Sequence, residues 1–283
     1  MPGTIDHRLM VHRLNLPHSA EGENSFLREL VGSKSGISIL DSKTGHLLVP
    51  LSSAAEVDFW IFRDGPTVLT HLNPSLKQLD SYPTLETFLA AWGTKRALEE
   101  KAGVPHGMLL ANLKTHGSEE WFIERCAELG VPTKEVVLLD QEYPATDRIL
   151  REKRFGPIAP LAIRISRIEP LAGILSILES QESFSVPHAV FLDPIGFNTP
   201  GAKPLVHKSE IERMYALAPT IEFIVCCPSR WGEGAQIDAL ATNLKENGVR
   251  QPLVMTDVPL FSQWSRHLEN WTLPHTSNVL SAA

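Results

Sequence analysis

From about Pro105 onward the chain alternates between short apolar runs and stretches whose apolar residues recur every three or four positions. The runs are MLLAN (108–112), EVVLL (135–139), LAIRI (161–165), AVFLD (189–193), EFIVCC (222–227) and PLVMT (252–256). Between them lie SEEWFIERCAELG, YPATDRILREK, EPLAGILSILES, KSEIERMYAL and GAQIDALATNLKENG, all with the helical period. Ser118, with Glu119 and Glu120 behind it, reads as a helix start, and Gly130 and Gly248 read as stops. Six apolar strands alternating with five helices predict βαβ units and a mostly parallel sheet.

The first hundred residues follow another rhythm. From Gly36 to Leu72, short β-rich runs are separated by SKTG and RDGP, which are turn compositions, and the pattern predicts an antiparallel meander. Leu85–Lys101 has helical spacing, with Gly103 as its stop. Right-handed crossovers leave a doubly wound sheet or part of a barrel for the rest of the chain. A full eightfold barrel needs two more βα units than residues 105–260 supply. The expectation is therefore a doubly wound, Rossmann-like α/β domain over 105–260, preceded by a small β-rich region over 1–104. A C-terminal helix and tail occupy 261–283.

Composition narrows the class. The 283 residues are 43% hydrophobic and 21% charged, an ordinary globular balance. No window approaches 18 consecutive apolar residues, so a membrane span is not expected. MPGTIDHRLMVHRLNLPH lacks the apolar core of a signal peptide. The three cysteines, Cys126, Cys226 and Cys227, show no CxxC spacing, which fits a reducing, cytoplasmic setting. A net charge of −7 argues against broad wrapping around nucleic acid. The densest basic stretch holds Arg148, Arg151, Lys153 and Arg154, followed by Arg164 and Arg167. It is either a local nucleic-acid contact or a solvated helix face. The histidines, among them His106, His116, His188 and His207, have no metal-ligand spacing, and no metal centre is expected. No GxSxG elbow is present, and Ser229 follows a strand without one. Cys226 and Cys227 read as strand packing.

Candidate chemistry gathers where the strands end. Asn112, Lys114, His116 and Gly117 follow the first run, Asp140 ends the second, and FLDPIGF closes the fourth. In a doubly wound sheet these loops share one edge. With an acidic residue after the second strand and an Asp-Pro motif after the fourth, the chain resembles the Rossmann-like S-adenosylmethionine-dependent methyltransferases over roughly residues 105–260. The resemblance implies that Asp140 binds the ribose of S-adenosylmethionine and that Asn112 and Gly117 line the cofactor loop. It also implies that Asp193 and Pro194 hold an acceptor amine of a nucleobase or small molecule, with Phe197 stacking. The chain departs from that family in lacking a glycine-rich turn after the first strand and in setting Ile195 and Gly196 between Pro194 and its aromatic. Asp193 also suits a turn, with Gly196 behind it.

A second resemblance lies in EVDFWIFRDGPTVLTHL (56–72), which is similar to part of the PD-(D/E)xK nuclease core, with Asp58 at the first acidic position. Thr70, His71 and Leu72 stand where the E-x-K pair belongs, so an active nuclease is not expected. The functional expectation is a methyltransferase-like enzyme, active or degenerate. The alternative is a non-catalytic α/β scaffold for a protein or nucleic-acid partner. A barrel hydrolase or lyase using Asp193 is a third reading.

Overall fold

In the computed structural model, residues 8–11, 49, 51–62, 65–70, 73–115, 117–139, 149, 159–165, 170–180, 187–192, 206–227, 234–256 and 261–271 are described. Their strands are β1 (Leu9–Val11), β2 (Ala54–Ile61), β3 (Thr67–Leu69), β4 (Leu109–Leu113), β5 (Val136–Leu139), β6 (Leu161–Ile165), β7 (Ala189–Leu192), β8 (Glu222–Cys227) and β9 (Leu253–Thr256). The helices are α1 (Leu85–Ala102), α2 (Glu119–Glu128), α3 (Leu171–Glu179), α4 (Lys208–Leu217), α5 (Gly234–Glu246) and α6 (Phe261–Glu269).

The apolar runs after Pro105 form strands within a residue or so of their expected bounds, because each is a continuous buried run. Gly130 and Gly248 stop their helices with φ of 87° and 81°, a backbone that side chains with a Cβ avoid. Thr84 caps α1 by accepting from the Thr87 N–H, and the His207 N–H donates to Glu210 at 2.8 Å ahead of α4.

The sheet order is β1-β9-β8-β7-β6-β5-β4-β2-β3, and β1 also pairs with β2. All pairings are parallel except β2–β3, a hairpin on the far end of β2. The β1–β9 and β1–β2 pairs join the two edges, so eight parallel strands close on themselves. The register confirms closure. Followed through the paired residues, Asp58 leads to Asn112, Leu139, Ala162, Ala189 and Glu222 in turn, and the offsets of Ile224↔Leu253, Leu9↔Val254 and Met10↔Ala54 return to β2 eight residues below the start. Eight strands with a shear of about eight make the (β/α)8, or TIM, barrel.

The expected open, doubly wound Rossmann-like sheet is thereby corrected. β1 and β2 are not part of a separate meander. They are the two parallel strands that seal the barrel, and of the antiparallel run only the β2–β3 hairpin is described.

With this shear, inward side chains form levels of four drawn from alternate strands. Ala54, Val137, Ala189 and Leu253 make the lowest of these, and Met10, Leu110, Ala162 and Ile224 the next. The third holds Leu139, Phe191 and Met255, and its fourth member is Glu56. The level above has Asn112, Arg164 and Cys226. The interior is thus apolar below and polar toward the C-terminal ends of the strands. At the opposite end Arg8 and Glu222 pair through both guanidinium nitrogens, at 3.1 and 2.9 Å.

The larger core lies between barrel and helices. Phe59 on the outer face of β2 meets Phe88 of α1 and Phe122 of α2 at centroid distances of 5.8 and 4.8 Å, and Trp92 stacks on Phe88. Each such fully buried side chain stabilises the fold by roughly 1.5–3 kcal/mol.

Candidate active site at the barrel mouth

Along β2 the side chains alternate. Ala55, Val57 and Phe59 face the helices, so Ala54, Glu56 and Asp58 face the barrel axis. On β4 the same alternation sends Leu110 and Asn112 inward, with Lys114 following at the exit. Parallel register sets Asp58 beside Asn112 and therefore brings the four polar side chains together.

The contacts are short and dry. The Asn112 Nδ2 donates to Asp58 Oδ1 at 2.6 Å and to Glu56 Oε1 at 3.3 Å. The Lys114 Nζ lies 3.0 Å from Asp58 Oδ1. Glu56, Asp58 and Asn112 are 2%, 0% and 1% exposed, so both carboxylates are removed from bulk water, with the Asn112 amide and the Lys114 ammonium among their partners. The Asn112 Oδ1 is buried and accepts no hydrogen bond among the described residues. Once the shear is counted, Arg164 stands at the same height as Asn112, two strands round, and is half-buried. The loop after Lys114 is held by Thr115 Oγ1, which accepts from the Ile61 N–H at 3.0 Å, and by Ser118 Oγ, which donates to the Thr115 carbonyl.

Two carboxylates, an amide oxygen in need of a partner and a lysine form a set of hard oxygen donors with an adjacent cation. No group of three His, Cys, Asp or Glu side chains suited to a metal occurs among the described residues. A set of two carboxylates and one amide oxygen still fits a hard divalent ion, which accepts Asn carbonyl oxygens as ligands.

Of the residues singled out from sequence, Asn112, Lys114 and Asp58 reach this cluster. Gly117 lies at the exit of β4, exposed, with a φ of 73° that accounts for a glycine in the turn before α2. Asp140, Asp193, Pro194 and Phe197 lie outside the described residues, as do Arg148, Arg151, Lys153 and Arg154. Sequence reasoning missed Glu56, assigned Lys114 no specific role, and placed Arg164 only in a basic stretch open to nucleic acid. A signal existed: Glu56 and Asp58 share parity in a strand whose other parity is apolar.

No family model matches the chain, and no curated protein matches it by sequence. Similar solved structures include a glycerophosphodiester phosphodiesterase from Parabacteroides distasonis, at 13% identity and a TM-score of 0.47, covering 93% of this chain and 96% of that one. A provisionally named glycerophosphoryl diester phosphodiesterase from Agrobacterium tumefaciens gives 12% identity and a TM-score of 0.49, covering 93% and 98%. One of the same provisional name from Silicibacter pomeroyi gives 13% and 0.49, covering 95% of each chain.

The methyltransferase reading is corrected together with the sheet. Its cofactor crevice belongs to the point where an open sheet reverses strand order, and a closed barrel has no such point. With it goes the assignment of S-adenosylmethionine: the side chain of Asn112, expected to line the cofactor loop, is bound to Glu56 and Asp58 inside the barrel. The non-catalytic scaffold is not supported either, since a barrel kept only as a frame has no need of buried carboxylates at its mouth. Among the described residues no helix is long and apolar enough to cross a membrane.

Proposed function

We propose that the chain is a barrel hydrolase that cleaves phosphodiesters at the C-terminal mouth. The convergence of Glu56, Asp58, Asn112 and Lys114 in an otherwise apolar interior carries this reading. Active sites of (β/α)8 enzymes lie at this face. Two neighbouring buried carboxylates concentrate negative charge in one place, which favours a cation beside them. Turning the Asn112 amide exchanges its nitrogen and oxygen, and the oxygen then faces both carboxylates. Glu56, Asp58 and Asn112 would in that state hold a divalent cation. Such an ion supplies charge stabilisation and polarisation at a phosphoryl oxygen. Lys114, 3.0 Å from Asp58, is placed to donate to a non-bridging phosphate oxygen beside it. Phosphodiester cleavage is also the activity in the names of the three similar barrels; the side chains, and not that likeness, carry the reading.

The test is hydrolysis of bis(p-nitrophenyl) phosphate and of a glycerophosphodiester, in EDTA and with added magnesium or calcium. Turnover should need the cation, and Glu56→Gln or Asp58→Asn should lower kcat/KM by about a hundredfold or more. Absence of turnover with either substrate and either ion, or full activity in both variants, would overturn the proposal.

A further inference from the structure

We infer that Arg164 is the substrate-anion receptor of the barrel mouth and sets its preference for phosphoryl groups. The inference rests on the phosphodiesterase reading and names a recognition residue for the same site. Its basis is the placement of Arg164 within the barrel. Leu161, Ile163 and Ile165 of β6 pack against the helices, and Ala162 packs inside the barrel. By alternation Arg164 faces the axis. The register puts it at the level of Asn112 and Cys226, directly above the level of Glu56 and beside Phe191 of β7.

That position is unusual for an arginine. Inward positions of such barrels are dominated by apolar side chains, and the levels beneath Arg164 are apolar except at Glu56. Placing a guanidinium there costs desolvation, which folding alone does not require. Lys114 pairs with Asp58 across neighbouring strands, and Arg164 stands on β6, three strands round the wall from Asp58. A ligand seated over the carboxylates therefore has Lys114 beside it and Arg164 further round the same wall. The planar fork of an arginine binds two oxygens of a tetrahedral phosphoryl group at once, which a lysine cannot do. Arg164 is also only half-buried, so a ligand entering from the mouth can reach it.

The experiment uses the full chain and two probes: inorganic phosphate by calorimetric titration, and bis(p-nitrophenyl) phosphate in steady-state kinetics. Arg164→Gln should weaken phosphate binding by about ten- to a hundredfold and raise KM similarly, with kcat within about threefold. Arg164→Lys should restore part of the affinity, because it returns the charge without the fork. If Arg164→Gln does not fold, Arg164→Lys carries the test through its KM. Phosphate binding by a protein that cleaves no diester would sink the phosphodiesterase reading and leave Arg164 as an anion receptor. Diester cleavage with unchanged KM and phosphate affinity in both variants would overturn the role of Arg164 alone. So would a wild-type protein that binds no phosphate at millimolar concentration.

Discussion

Lys114 and Asp58 face one another across adjacent parallel strands, Nζ to Oδ1 at 3.0 Å, with side-chain exposures of 6% and 0%. Asp58 also accepts from Asn112, so its charge is balanced from two sides of one strand. Removing one member of such a pair leaves the other charge buried. Lys114→Met should therefore lower the unfolding free energy by about 3–5 kcal/mol, while the double variant Asp58→Asn/Lys114→Met should recover a large part of that loss. Urea unfolding of the single and double variants measures the coupling. Strict additivity would show that the pair is not energetically linked.

A second buried pair fastens the opposite end of the barrel. Lys95 and Glu99, one turn apart on α1, are both fully buried and joined by a short hydrogen bond. Glu99 also accepts from the backbone N–H of Ser52, just before β2, at 2.8 Å, and from that of Gly107, just before β4. A Cβ at Gly107 would lie 1.9 Å from the Ser53 carbonyl oxygen and 2.6 Å from the Lys95 Nζ. Gly107→Ala is expected to destabilise the fold by about 3 kcal/mol, since backbone must move. An unchanged urea midpoint in this variant would show that the two lead-in segments are not held as closely as the structure places them.

Stability should fall in mild acid through His188. Its side chain is exposed, but partial desolvation at the strand start lowers its pKa below 6.5, opposed by the negative charge of Glu222, so the effect is small. The unfolded chain then takes up the proton at a higher pH than the folded one. The contribution is complete above 6.5 and is lost as the pH falls toward the folded value. Urea midpoints measured at about pH 7.5 and about pH 5.5 should drop more for the wild type than for His188→Gln. Equal drops would assign the acid sensitivity to other groups.

Cys126 should be inert until the protein unfolds. Burial pushes its thiol up to about 12, which leaves almost no thiolate at neutral pH. Iodoacetamide near pH 8, read by peptide mapping, should modify Cys126 at the rate of global opening and much faster in urea. Rapid labelling in the native state would mean that α2 opens locally.

How far the chain could be read in advance depends on the range of the interaction. MLLAN, LAIRI and EFIVCC declare themselves because burial on both faces leaves a continuous apolar run, and Gly130 and Gly248 mark helix ends by a backbone only glycine adopts readily. β1 has only three residues, too few for any period to register, and its neighbour in the barrel, β9, comes from the far end of the chain. The site shows the same division. Glu56 and Asp58 share a face by local alternation, but their meeting with Asn112 and Lys114 depends on a pairing between segments more than 50 residues apart.

The sequence by itself determined the strands and helices after Pro105 that the structure describes, and which of their side chains share a face, since both follow from periods of two and 3.6 residues within a segment. Only the tertiary structure decided that the parallel strands close, because open and closed sheets demand the same local pattern. Their difference lies in two edge pairings, β1 with β9 and β1 with β2, and in the shear that lets them meet. Closure also turned a hairpin-like strand into a wall of the site. Glu56 and Asp58, which an open sheet would have set apart from the βα units, face Arg164 across a barrel.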